Sequence, residues 1–191
     1  MGEEIKNDIN SYRRYLLGDN GALQSIVQEY RAGLILYSET LVHNITDAED
    51  LAEDVFAELI FKRPEFDGRS SLKTWLYAIA RHKCLNHLKR SKRIEVVSNE
   101  KITSIADNDP MASFRYYEEE AFDDEKLKAL HSKLEKLHDE YRQVVYLYYF
   151  ENMSTEEIAK VMKKSKKQVG NLMYRAKAAL YKMLKDEEIN I

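Results

Sequence analysis

Glycine and proline are scarce in this sequence, six and two among 191 residues. With so few residues that turn or break a backbone, the chain is committed to long helices joined by few tight turns. A single cysteine, Cys84, excludes an internal disulfide and suits a reducing compartment. Long apolar runs are missing too. VVYLYYF, at 144–150, is far shorter than the roughly 20 residues that span a bilayer. The opening MGEEIKNDINSYRRYLL holds no apolar signal core. The chain is therefore expected to be soluble and cytoplasmic, with no direct membrane insertion. Net charge is small, −3, although a third of the residues are charged, so this is not a uniformly basic nucleic-acid binder.

What is present is charge in blocks. Arg81 to Arg93 carries six Lys/Arg and no acid, and Glu95 to Glu125 carries ten acids against Lys101 and Arg115. Lys160 to Lys185 then carries nine basic residues and no acid. Segregation of this kind marks modules. The spacing predicts a domain over 1–93, an acidic linker over 94–124 and a second domain over 125–191. The linker, with Pro110 and no sustained helical period, is expected to be flexible, because it cannot bury enough apolar surface to offset its ordering entropy.

The first domain reads as three or four helices. Leu23, Ile26, Val27, Tyr30, Leu34 and Tyr37 keep a helical stripe. TDAEDLAEDVFAELIF begins another helix, for which Thr46 or Asp47 is the expected cap, with Leu51, Val55, Phe56 and Leu59 on its apolar face. KRPEFDGRSS interrupts the pattern at 62–71. SSLKTWLYAIARHKCLNHLKR resumes it, with Leu72, Leu76, Ala80, Cys84 and Leu88 at i+4 steps and Trp75 beside them. No strand-like alternation persists, so the fold class is all-α.

In the second domain, Ser154 and Glu157 form an S-x-x-E capping box, predicting a helix from 155 to about 162. Ser165 and Gln168 repeat the device three residues later. Val169, Leu172, Met173, Ala176 and Leu180 lie on one side of that second helix. Lys167, Asn171 and Tyr174 fall on the other, flanked by Gly170 and Arg175. Helix, three-residue turn and longer helix with a polar outer face is helix-turn-helix spacing. Lys163, Lys164 and Lys166 surround the longer helix's N-terminus, where free amides and the helix dipole favour phosphate. The bland alternative is a helical hairpin with a solvated lysine face.

Other chemistries find little support. His82, Cys84 and His87 point about 200° and about 140° apart on a helix and cannot converge on a metal. Asp47, Glu49, Asp50, Glu53, Asp54 and Glu58 sit on an amphipathic helix that exposes carboxylates rather than burying them, which disfavours a catalytic cluster. No nucleophile triad or glycine-rich phosphate loop occurs. The reading is therefore a protein without enzymatic activity, cofactor, metal or small-molecule substrate. Trp75 lies on the apolar stripe and reads as core; Phe66, Asp67 and Arg69, in the irregular loop, are better placed for separated DNA strands.

Three segments together resemble the extracytoplasmic-function sigma factors, small members of the sigma-70 superfamily of bacterial RNA polymerase. TDAEDLAEDVFAELI is similar to that family's polymerase-binding helix, and FDGRSSLKTWLYAIARHKCLNHLKR to its promoter-melting and −10-reading segment. DEYRQVVYLYYFENMSTEEIAKVMKKSKKQVGNLMYRAKAALYKML is similar to its −35-reading domain. The resemblance implies docking on core RNA polymerase through Asp47, Glu49, Asp50, Glu53, Asp54 and Phe56. It implies promoter DNA contacts by Phe66, Asp67, Arg69, Arg81, Lys89 and Arg90 in the first domain. In the second they fall to Lys163, Lys164, Lys166, Lys167, Gln168, Gly170, Asn171, Tyr174 and Arg175. It also implies control by an anti-sigma factor. Gly170 departs from the family pattern, which commonly has a basic residue there. A free-standing helix-turn-helix regulator, with the first domain as sensor or dimer seam, is the other reading of the residues alone.

Overall fold

The computed structural model describes residues 11–97 and 136–188, and the chain divides into two units, Met1–Pro110 and Met111–Ile191. Most of the linker expected at 94–124 lies outside the described residues. In the first unit a helical segment at residues 11–16 precedes α1 (Asn20–Val42), α2 (Ile45–Lys62) and α3 (Leu72–Val97). The second unit comprises α4 (Asp139–Tyr149), α5 (Thr155–Met162) and α6 (Lys166–Glu188). Among the described residues there is no strand, and the all-α class expected from the sequence holds.

Capping residues set the helix limits. The Asp19 carboxylate accepts from the Ala22 amide at the start of α1 and is itself gripped by Arg14 at 2.6 Å. That Arg14 hydrogen bond, more than any other influence, holds the Asp19 carboxyl below its usual pKa range. α2 begins earlier than TDAED suggests. Its cap is Asn44, whose side-chain oxygen accepts from the Asp47 amide at 3.0 Å, and not Thr46 or Asp47. Ser71 caps α3, accepting from the Thr74 amide at 3.2 Å. That helix runs on through Arg93 to Val97, into what the sequence assigned to the linker.

The first core lies among α1, α2 and α3. Leu34, Ile35 and Tyr37 meet Ala48, Ala52, Val55 and Leu59, with Leu72, Leu76, Tyr77, Ala80 and Cys84 completing the interior. These positions recur at i+3 and i+4, so each helix presents one apolar face inward. Burying a leucine side chain of this kind contributes about 2–3 kcal/mol. Phe56 belongs here as well. Only 5% exposed, it packs inward, so of the residues that the resemblance assigns to polymerase docking it is the one placed in the core. Cys84 is a core filler, its thiol pushed up to about 11 by burial.

The N-terminal segment closes one end of this unit. The Tyr12 hydroxyl donates to the Pro64 carbonyl at 2.9 Å, and the Tyr12 ring lies edge-on to Trp75. Trp75 in turn stacks on Phe66, with ring centroids 5.0 Å apart. The irregular stretch between α2 and α3 is therefore fastened by aromatic contacts, with Arg63 and Gly68 supplying its left-handed bends at φ 44° and 71°.

In the second unit, Val144, Val145 and Leu147 of α4 meet Ile158, Val161 and Met162 of α5 and Val169, Ala176 and Leu180 of α6. α4 starts at His138, whose Nδ1 accepts from the Glu140 amide. Arg142 is buried with its guanidinium donating to the Leu137 carbonyl at 2.9 Å.

Candidate nucleic-acid interface

Both capping boxes form as the sequence predicts. Ser154 Oγ accepts from the Glu157 amide while the Glu157 carboxylate accepts from Ser154 N–H at 2.9 Å. Ser165 Oγ accepts from the Gln168 amide at 3.2 Å, and Gln168 Oε1 accepts from Ser165 N–H at 2.8 Å. Between them Lys163 takes φ 53°, and the Lys164 amide reaches back to the Ala159 carbonyl at 2.9 Å. This left-handed closure satisfies carbonyls at the end of α5 and turns the chain straight into α6. A helix-turn-helix hairpin results.

The burial pattern of α6 then separates core from outer face. Val169, Ala176 and Leu180 point inward, whereas Lys166, Lys167, Gln168, Gly170, Asn171, Tyr174 and Arg175 are exposed, Tyr174 to 77%. The expected DNA-facing side chains thus share one accessible surface. Two of them are already engaged: Lys164 Nζ lies 2.8 Å from Glu140, and Lys166 pairs with Glu156. Gln168 is committed too, because its carbonyl oxygen serves the cap. A bidentate contact with adenine uses that same oxygen, so Gln168 would have to share it between the cap and the base. Asn171, exposed and one turn further along, holds no cap among the described residues.

Gly170 has open space around it. A methyl group added there would meet no atom within 4 Å, and the residue's φ is not in the left-handed region. Gly170→Ala is therefore expected to raise the stability of this unit by about 1 kcal/mol, the helix-propensity difference. Thermal unfolding of the full chain followed by circular dichroism measures it. Unchanged or lower stability would contradict this account of the site.

Lys177, midway along α6, was not singled out for packing by the sequence. Its ammonium sits 5.7 and 5.8 Å from the ring centroids of Tyr148 and Tyr149. Lys177 thus fastens the end of α4 to α6 by cation–π contact.

In the first unit, the acidic face of α2 runs beside α3. Glu58 lies 3.0 Å from Lys83 and 3.2 Å from Lys62. Hydrogen bonding from Lys83, foremost, holds its carboxyl below the usual range. Asp54 is 3.9 Å from the same Lys83, Asp47 faces His87 at 3.4 Å, and Glu53 meets Arg31 at 3.3 Å. Asp50 is exposed, and Glu49 is half-buried. A groove of about 810 Å³ follows this seam, lined by Asp47, Asp54, Glu58, Lys83, His87 and Arg90 among others. The interhelical ion pairs were invisible in the sequence, since helical periodicity says which face a residue occupies but not what stands opposite.

The remaining expected DNA contacts are spread along the loop and α3. Phe66 is half-buried, with Trp75 stacked on one face of its ring, and so helps to hold the loop. Asp67 and Arg69 are exposed and paired with each other at 3.0 Å. Lys89 and Arg90 are exposed on α3, and Arg81 is half-buried. His82 is exposed and hydrogen-bonded to Asn86, whereas Cys84 lies in the core, so these side chains diverge.

Comparison with known proteins places both units. The family model described as sigma-70 region 2 matches residues 26–94, and that described as sigma-70, region 4 matches residues 127–180. The first match takes in most of α1, all of α2 and most of α3; the second takes in the helix-turn-helix. The chain belongs to the sigma-70 family. Two curated relatives match along nearly their whole length. RNA polymerase sigma factor YlaC of Bacillus subtilis is 29% identical over 170 residues, 87% of this chain and 95% of that protein. The ECF RNA polymerase sigma factor SigW of the same organism is 27% identical over 187 residues, 95% of this chain and 97% of that one. Among solved structures, CnrH in complex with the cytosolic domain of CnrY superposes with a TM-score of 0.64 at 22% identity, covering 94% of this chain and 97% of that chain. Sigma factor RpoE in complex with the anti-sigma factor NepR from Bartonella quintana gives 0.67 at 21% identity, covering 85% and 96%. At those identities the structural likeness speaks for the fold. Sigma-70 family members are transcription initiation factors, not enzymes. No described helix of the chain is long and apolar enough to cross a membrane.

Proposed function

We propose that this chain is an extracytoplasmic-function sigma factor that docks on core RNA polymerase, confers promoter specificity on it, and acts in the cytoplasm under the control of an anti-sigma factor. The observation that carries the reading is the pairing, in one chain, of an acid-faced α2 with a helix-turn-helix whose outer face is polar and exposed. Asp50 and Glu53, exposed on α2, suit a basic surface of polymerase. Such rim charges steer association and set specificity. The basic end of α3, with Lys89 and Arg90, and the exposed Asp67 and Arg69 of the loop suit the −10 region as strands separate.

On the second unit, Lys163 and Arg175 fit phosphate contacts that fix register, and Asn171 fits a base edge. Anti-sigma control is supported by the two structural neighbours, which are complexes with the cytosolic domain of CnrY and with the anti-sigma factor NepR.

A binding comparison tests the proposal. The chain is mixed with core polymerase from its own organism, and occupancy of genomic DNA fragments is mapped with and without the polymerase. Site-selective occupancy that requires the polymerase is the expected result. The same sites occupied equally by the chain alone would point instead to a free-standing regulator.

A further inference from the structure

The lysines around α6 are not equivalent. Lys163 and Lys167 are exposed and make no ion pair among the described residues. Lys164 is only 22% exposed and lies 2.8 Å from Glu140, an acid in the first turn of α4. Lys166 pairs with Glu156, an acid in the first turn of α5, across the helix-turn-helix bend. Hydrogen bonding from Lys166 is the largest influence keeping the Glu156 carboxyl below its ordinary range, so the partner is an ionised carboxylate at neutral pH.

We propose that Glu140 and Glu156 occupy Lys164 and Lys166 in the free protein and surrender them to promoter phosphates, so that these two acids set the strength and the salt dependence of DNA binding. The inference rests on the reading of this surface as a DNA interface. A carboxylate and a phosphate compete for the same ammonium: its three N–H donors can point at both, but two anions held against one cation repel each other. When the lysine moves to phosphate, the phosphate releases a counterion, but the stranded carboxylate takes one up. The net release is then smaller than the number of lysine contacts suggests. The opposite role is equally definite in what it predicts: an acid that merely positions its lysine for DNA would weaken binding when removed.

The test measures promoter affinity of the reconstituted holoenzyme across a range of KCl concentrations. The variants are Glu140→Gln, Glu156→Gln and, as a charge control, Asp139→Asn, whose carboxylate sits beside Arg142 at 3.8 Å. Each Glu→Gln variant is expected to bind roughly two- to fivefold tighter near 0.1 M salt, the span of an exposed ion pair. Each should also steepen the log–log salt slope by up to about 0.9, one phosphate's worth. In a Lys164→Gln background the Glu140→Gln gain should vanish, since its competitor is gone. Unchanged or weaker binding by both Glu→Gln variants overturns the proposal, as does an equal gain from Asp139→Asn. If the wild-type holoenzyme shows no promoter-specific binding, the DNA interface itself is refuted and the inference falls with it. Selective wild-type binding with insensitive glutamates refutes the inference alone.

Discussion

Asn171→Ala should cost the holoenzyme roughly 5- to 150-fold on its matched −35 element, the range of one bidentate base contact worth about 1–3 kcal/mol. On a template already mutated at the contacted base, the same substitution should cost little. Asn171 is exposed on the outer face of α6, one turn in from the N-terminus, where side chains of a recognition helix come within reach of the major groove. Gln168→Ala should behave differently. Its Oε1 holds the Ser165 amide, so its removal costs cap stability of about 1 kcal/mol and lowers promoter use equally on every template. Transcription by holoenzyme on single-base −35 variants separates the two. Equal losses on all templates for Asn171→Ala would remove base reading from that residue.

Replacing Asp50 and Glu53 together by lysine should weaken core polymerase binding by on the order of a hundredfold at low salt, because like charges forced together cost several kcal/mol. Both side chains are exposed, and Glu53 gives up only a surface pair with Arg31, so circular dichroism should register no loss of helix. The defect should shrink as salt rises, since screening weakens exposed charge interactions. Retention of core polymerase unaffected by the double reversal would dismiss α2's acidic face as the docking element.

The sequence disclosed some of this architecture with unusual sharpness and hid the rest for physical reasons. The limits of α5 and α6 were legible because Ser154 with Glu157, and Ser165 with Gln168, are local devices whose partners lie three residues apart. The start of α2 was not, because Asn44, Thr46 and Asp47 all offer capping oxygens within four positions, and only the backbone course decides that Asn44 takes the role. Phe56 was legible as part of the apolar face, and its burial follows from α2 packing against both α1 and α3. Gln168 was correctly placed on the outer face, and its cap bond to Ser165 follows from the same three-residue spacing. The ion pairs of Lys83, Lys164 and Lys166 join different helices, and no spacing along a single helix encodes them. Local chemistry was readable; contacts across helices had to be seen.

The most direct test of the account is transcription from sheared genomic DNA by core polymerase with and without the chain, followed by sequencing of RNA 5′ ends. With the chain present, start sites should gather downstream of one shared two-part motif, and Asn171→Ala should scatter or silence them. Start sites identical to those of core polymerase alone would contradict the account.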